Sequence, residues 1–341
     1  MNSPWTVRTT PAVSVHVRVS FRRGRGISGC IELICYQITK APAGSGGGLV
    51  LSGPPSVATQ RRRNTLCPSL NSTKAILSAR FIKGCAFVIA NAWDAGSARV
   101  LAGLGFSAIA TSSYATAGAY GTRDGRITRD QVLAHARAIV EATDLPVSAD
   151  FESGFGATVS DVAETYRHAA AVGLVGATIE DLTPTRRKDK PLFDIGEATE
   201  RVAAAVAATR KLGFPFMLTA RAEGFRYGNT DLDDAIKRLQ AYEKAGADVL
   251  MAPGLPDLAS VKAVCAAIAK PFNFMAGIPG MSFTVAGLEA AGVRRIGLAG
   301  SLYRAAMGGL VAAAHELKDK GTFGYVDTAL PSAELAGFMR G

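Results

Sequence analysis

From about residue 74 onward, the chain alternates two kinds of segment. Short apolar, β-rich runs occur at 87–91 (FVIAN), 108–113 (AIATSS), 146–152 (PVSADFE), 176–181 (GATIED), 216–223 (FMLTARAE), 248–253 (DVLMAP), 271–277 (PFNFMAG) and 294–300 (RRIGLAG). Their length and composition predict strands. Between them, Ala-rich stretches at 128–142, 158–172, 197–212, 231–245, 257–269 and 282–291 carry apolar residues at helical spacing. Gly173, Gly246 and Gly292 end three of these stretches just before the next strand, as expected of a helix stop. Eight strands alternating with helices predict an α/β fold, a closed parallel (β/α)8 or TIM barrel, rather than an open sheet. No G-x-G-x-x-G follows the first strand, which removes the main sequence support for a dinucleotide-binding fold.

The first 73 residues follow a different pattern. Val13, Val15, Val17 and Val19 alternate with polar residues, and a GSGGG stretch (44–48) and an RRR run (61–63) follow. Nine basic residues stand there against one acid, Glu32, so this segment holds +8 of the chain's formal net charge of +10. The composition is that of an organellar transit peptide; the alternative is a poorly ordered upstream extension. In both readings the catalytic domain is 74–341, which is cytoplasmic unless the segment is a transit peptide. The remaining +2 provides no electrostatic reason for a nucleic-acid partner. A composition of 48% hydrophobic and 19% charged residues is that of a soluble globular protein, and no run approaches the roughly 18 apolar residues of a membrane span. Five scattered cysteines without a C-x-x-C pair argue against a disulfide framework or zinc cluster and suit a reducing compartment.

In such a barrel, active sites gather at the C-terminal ends of the strands. There the sequence places Asn91, Trp93 and Asp94, then Ser112, Ser113 and Tyr114 with a loop bearing Arg123 and Asp124. Asp150 and Glu152, Glu180 and Asp181, Arg221 and Glu223, and Asn273 follow. Residues two apart on a strand face the same side, so Asp150 and Glu152 project together toward Glu180 on the next strand. Carboxylates this close repel unless protons or a cation intervene. Mg²⁺ or Mn²⁺ answers the repulsion best, because a hard ion prefers oxygen ligands and keeps several waters. His135, His168 and His315 fall in predicted helices and His16 in the N-terminal segment. That placement weighs against imidazole-bound zinc or iron and against Ser-His-Asp catalysis. Taken singly, each acid also reads as a helix cap or surface charge. Their convergence from consecutive strands is what suggests a site.

NAWDAGSA (91–98), ATSSYATAGAYGTRDG (110–125), SADFESGFG (148–156), GATIEDL (176–182) and TARAE (219–223) together resemble the successive signatures of the isocitrate lyase/phosphoenolpyruvate mutase superfamily. The resemblance runs from about residue 80 to 325 and keeps the family's order. It implies a small 2-oxo acid or dicarboxylate bound against Mg²⁺, with a C–C or P–C bond made or broken beside it. It also implies that Asp150 is the direct metal ligand and that Asp124, Glu152 and Glu180 hold the ion's waters. Backbone N–H groups of Ser113 and Tyr114 and the Ser112 side chain would receive the substrate, with Trp93, Asp94 and Asn273 on the wall. Arg221 would clamp a carboxylate or phosphoryl group. Ser112, Tyr114 and Arg221 are thus the expected catalytic residues, and a homotetramer exchanging a C-terminal helix, residues 302–318 here, is the expected assembly.

The loop after the fourth strand departs from the family. True isocitrate and methylisocitrate lyases carry a Lys-Lys/Arg-Cys-Gly-His loop whose Cys is the acid, and the phosphonate mutases carry E-D-K-x-x-P-K-x-N-S. Here the loop reads LTPTRRKDKPLFD (182–194), without Cys, His or Asn. Arg186, Arg187, Lys188 and Lys190 either close over an anionic substrate or form a solvated charge run. The expectation is a Mg²⁺-dependent lyase acting on a 2-oxo or 2-hydroxy dicarboxylate through an enolate, its proton donor being Tyr114 or a metal-bound water. The alternatives are a phosphonate-type mutase, a ligand-binding barrel without catalysis, and a phosphate-binding aldolase or isomerase using the glycines of GIPG (277–280) and LAGS (298–301).

Overall fold

The computed structural model describes residues 84–185 and 189–339, positions 72, 74, 75, 78 and 82, and the backbone of 15–22 and 32–40. The chain divides into two units, residues 1–63 and 64–341. In the first, β1 (Val15–Arg22) pairs antiparallel with β2 (Glu32–Lys40), from Val15 opposite Lys40 to Arg22 opposite Glu32. The alternation at Val15, Val17 and Val19 therefore lies on a strand. Val13, GSGGG and RRR fall outside the described residues.

The second unit is a closed barrel of eight parallel strands in the order β10-β3-β4-β5-β6-β7-β8-β9. The first half is β3 (Phe87–Asn91), β4 (Ile109–Ala110), β5 (Val147–Asp150) and β6 (Gly176–Glu180). The second half is β7 (Met217–Arg221), β8 (Val249–Met251), β9 (Phe272–Met275) and β10 (Val293–Gly297). Each lies inside or beside its predicted run. Apart from β3, which fills its run, the strands are shorter than those runs because residues at the ends leave the ladder to build loops and caps. The run 108–113 shows this most clearly: Ile109–Ala110 is the strand, whereas Ser112 already caps the next helix.

The helices are α1 (Ala95–Gly103), α2 (Ser113–Ala119), α3 (Arg129–Ala142), α4 (Val159–Ala171) and α5 (Ile195–Thr209). They continue with α6 (Leu232–Lys244), α7 (Leu258–Ala267), α8 (Val285–Ala290), α9 (Ser301–Lys320) and α10 (Ser332–Phe338). Capping boxes at Asp94/Ser97, Thr128/Gln131 and Thr158/Asp161 start three of them, satisfying N–H groups that have no partner inside the helix. Gly246, past the end of α6, has φ +100°, and a Cβ there would press on Val206, so only glycine suits that helix stop.

The core fills the layer between sheet and helices with Ile139, Tyr166, Leu174, Phe216, Leu239, Tyr242 and Phe272, all fully buried. Each large side chain contributes about 1.5–3 kcal/mol by leaving water. By contrast, α9 buries none of its residues within the chain, and Met307, Leu310, Val311 and Leu317 stand exposed on it. Among the described residues no helix is long and apolar enough to cross a membrane. Against the expectation of fully reduced thiols, Cys85 is disulfide-bonded, while Cys265 is free.

Candidate active site

The turn that follows β5 shapes the site. Two residues after Asp150, Glu152 adopts φ +47°, and Phe155 adopts φ +52°, both in the left-handed region that side-chain-bearing residues rarely enter. Between them, Gly154 has φ +93° with Val162 methyls close by. The surroundings hold this turn in place. Arg201 of α5, buried, donates from Nη2 to the carbonyls of Ser153 and Gly156 at 2.8 Å each and lies over the Phe193 ring. Phe151, fully buried, packs edge-on against Phe155 and Tyr166.

The turn presents the Asp150 carboxylate to a ring of donors. Oδ2 accepts from the Ser113 N–H at 3.1 Å, and Oδ1 accepts from the Thr178 hydroxyl at 3.0 Å and from Arg221 Nη1 at 3.0 Å. Burial alone would raise its pKa, but Arg221 and these hydrogen bonds outweigh burial and hold it below the ordinary carboxylate value. Arg221 is shared further: Nη2 meets Glu180 at 3.1 Å and Glu223 at 2.6 Å, and Nε donates to Glu223 at 2.8 Å. Three carboxylates, the buried Glu180 and Glu223 and the partly buried Asp150, thus share one guanidinium, with Arg226 at 3.5 Å from Glu223. Glu180 absorbs the imbalance: its pKa is raised well above the usual value, by burial first and then by Glu223, Asp150 and Glu152, against the pull of Arg221.

The neighbouring cavity has a volume of about 620 Å³. Of the residues expected at the site, it is lined by Ser112, Ser113, Tyr114, Asp124, Asp150, Arg221 and Asn273. The Ser112 hydroxyl caps α2, accepting from the Ala115 N–H at 3.5 Å. Tyr114 is half exposed, packed edge-on against Tyr303. The Asn273 amide carbonyl accepts from Arg295 Nε at 2.7 Å. Glu152 and Glu180 do not line the cavity and reach it through Asp150 and Arg221. Trp93 and Asp94 lie off the lining as well. The Asp94 carboxylate is an exposed helix cap on Ser97, and Trp93 packs against Tyr303 and gives its carbonyl to His135. Sequence spacing could not separate these roles, because a strand-end acid can equally cap the helix that follows.

Asp181, adjacent to Glu180, points to the helical layer. It accepts from the Glu223 N–H at 2.8 Å, the Tyr242 hydroxyl at 2.8 Å and Arg238 at 3.1 Å. The loop 182–194 closes on itself through the Leu182–Leu192 bridge and the Thr183 N–H to Pro191 carbonyl bond. There Lys190 pairs with Asp194 at 2.8 Å on the surface, and Arg186, Arg187 and Lys188 lie outside the described residues. Arg221, expected to clamp a substrate anion, gives all three nitrogens to carboxylates of its own chain. Sequence reasoning missed Thr178, Arg226, Arg295 and Arg304, which also line the cavity. The signal for Arg295 was present, since RRI opens an otherwise apolar strand and places one arginine on the interior face.

A hard cation suits this donor set. Asp150 and Asp124 offer carboxylate oxygen on the lining, and the buried carboxylates around Arg221 outnumber its charge. Among the described residues, no three His, Cys, Asp or Glu side chains are grouped to ligate an ion directly. An ion here would therefore bind one or two carboxylates and retain water, which is the habit of Mg²⁺.

Known proteins resemble the chain in sequence and in fold. The sequence profile described as phosphoenolpyruvate phosphomutase matches residues 79–318. Over 209 residues the chain is 31% identical to 2-methylisocitrate lyase of Escherichia coli (strain K12), spanning 60% of this chain and 69% of that protein. Among solved structures, a Burkholderia cenocepacia J2315 protein provisionally classed as a lyase/mutase superposes with TM-score 0.77 at 44% identity, covering 79% of this chain and 96% of that one. Oxaloacetate acetylhydrolase, solved with its product oxalate, superposes with TM-score 0.71 at 26% identity, covering 79% and 94%. The chain belongs to the phosphoenolpyruvate phosphomutase family, within the isocitrate lyase/phosphoenolpyruvate mutase superfamily of lyases and mutases.

Proposed function

We propose that the protein is a Mg²⁺-dependent carbon–carbon lyase that cleaves a small 2-oxo or 2-hydroxy dicarboxylate, by retro-aldol cleavage or decarboxylation, through an enolate. The observation that carries this reading is an Asp150 carboxylate held by Ser113, Thr178 and Arg221 on a cavity whose lining also holds Arg226, Arg295 and Arg304. When bound, the ion would polarise the substrate's oxo group and stabilise negative charge growing on that oxygen. Asp150 would hold it directly and Asp124 through water. Glu152 and Glu180 act behind them, the first through its N–H bond to Asp150 and the second through Arg221. Donors fixed before the reaction need no reorganisation as charge develops, and that favours the transition state over the ground state. Arg221 keeps Asp150 anionic and turned toward the cavity, while Arg226 and Arg304 add positive charge for an anionic substrate. Tyr114 brings a phenol to the lining as the proton donor. Two of the relatives named above are, by their names, a lyase of 2-methylisocitrate and a hydrolase of oxaloacetate, which supports the substrate class.

A screen of 2-oxo and 2-hydroxy dicarboxylates with Mg²⁺ tests the reading: turnover should vanish with a chelator and in Asp150→Asn. Full turnover of Asp150→Asn, or indifference to chelation, overturns it. The matching profile is named for a phosphomutase, so a phosphonate-type mutase is the second reading, and a P–C bond seen by phosphorus NMR would establish it. The exposed apolar side of α9 supports a homo-oligomer built through that helix.

A further inference from the structure

Below the acidic cluster, the barrel contains a second guanidinium that the proposed chemistry leaves unused. Arg295, the third residue of β10, is 4% exposed and lines the cavity. Its Nε donates to Asn273 Oδ1 at 2.7 Å and its Nη2 to Thr219 Oγ1 at 2.6 Å, both neutral acceptors. Among the described residues, Nη1 has no protein acceptor and no carboxylate stands at ion-pair distance. Burial alone acts on the group and pulls its pKa down to about 10. Other buried arginines are compensated: Arg221 by three carboxylates, Arg238 by Asp181 and Asp234. Arg201 turns its donors to main-chain carbonyls away from this cavity. Burying a cation without a counter-charge is costly, and here the uncompensated edge faces open volume.

The placement suits a ligand. Thr219 precedes Arg221 by two residues on β7, so both face the interior, with their levels about 6–7 Å apart along the strand. The Arg295 guanidinium therefore sits one level deeper than the Asp150–Arg221 pair on the same cavity. On its own strand, two residues nearer the mouth, stands Gly297, which also lines the cavity. A Cβ at Gly297 would meet only the Asn273 amide, at 3.6 and 3.7 Å. The missing side chain leaves the path to Arg295 open.

We infer that Arg295 is a deep carboxylate subsite, which receives one end of a dicarboxylate while the other end lies nearer the mouth, where Arg226 and Arg304 also line the cavity, and which selects dicarboxylates over monocarboxylates. This rests on the lyase reading above and adds to it the residue that chooses the substrate class. The guanidinium fork suits a carboxylate, and Nη1 is the edge that remains to donate.

The test is calorimetric binding of malonate and acetate to the full chain with Mg²⁺ present. Wild-type protein should bind malonate at least tenfold more tightly than acetate. Arg295→Gln should weaken malonate roughly 10–100-fold, the worth of a charge-assisted hydrogen bond, and acetate by no more than about threefold. Gly297→Val, which keeps the cation but plugs the path, should produce the same selective loss; it decides the matter if Arg295→Gln does not fold. A malonate-to-acetate ratio of about one in the wild type, or one unchanged in the variants, overturns the subsite and leaves the lyase reading standing. Binding of neither acid overturns the subsite, and turnover of Asp150→Asn remains the separate test of the lyase reading.

Discussion

Replacing Arg221 by Met removes the one cation that Asp150, Glu180 and Glu223 share while roughly keeping the volume of its stem. The three carboxylates stand at 3.0, 3.1 and 2.6 Å from a guanidinium that is 7% exposed. Removing one partner of a buried pair costs about 3–5 kcal/mol, because the other charge stays buried and uncompensated. Three acids are stranded here, but proton uptake limits the loss, and Glu180 is already biased toward its neutral form. The expected loss at pH 7 with chelator present is therefore about 3–5 kcal/mol in urea unfolding. For a domain of this size that is a fall in Tm on the order of 10 °C. Glu223→Gln should cost less, since it leaves Asp150 and Glu180 on Arg221. The double variant should lose less than the two single losses added, because the residues share one network. A loss below about 1 kcal/mol for Arg221→Met, or strict additivity with Glu223→Gln, would refute the shared-cation account.

Three further expectations are independent of that one. His135 donates from Nε2 to the Trp93 carbonyl at 2.8 Å, and burial, outweighing that bond and the charge of Asp94, lowers its pKa below 6.5. Its contribution to stability is thus present above pH 6.5 and is lost as pH falls through the folded-state value. The slope reaches at most about 1.4 kcal/mol per pH unit, and His135→Gln should flatten it in urea titrations at stepped pH. Gly154→Ala should cost roughly 1–3 kcal/mol by unfolding titration, because alanine must take φ +93° with Val162 methyls at 3.1 Å. Leu310→Glu with Val311→Glu, at positions 60% and 52% exposed in the single chain, should shift the protein to a smaller species by light scattering; an unchanged mass would remove α9 from the interface.

The hydrophobic pattern alone determined the eight-strand barrel, its element order and the cluster of acids and one arginine at the strand ends. Periodicity reports which face of a segment is buried, and the barrel is the closed solution for alternating strands and helices. Asp150 and Arg221 were singled out within that cluster by the family resemblance, not by the pattern. It was silent on how neighbouring acids divide their roles. Asp94 and Asp181 are as acidic as Asp150, yet one caps a helix and the other ties Arg238, Tyr242 and the Glu223 N–H into the helical layer. Only the tertiary structure decided that all three nitrogens of Arg221 are taken by carboxylates of its own chain and that Arg295 reaches from β10 to Thr219 on β7. The physical reason is distance. Side-chain partners 22 to 76 positions apart, such as Arg295 with Asn273 and Thr219, are set by barrel closure and strand register, and no local pattern carries that information.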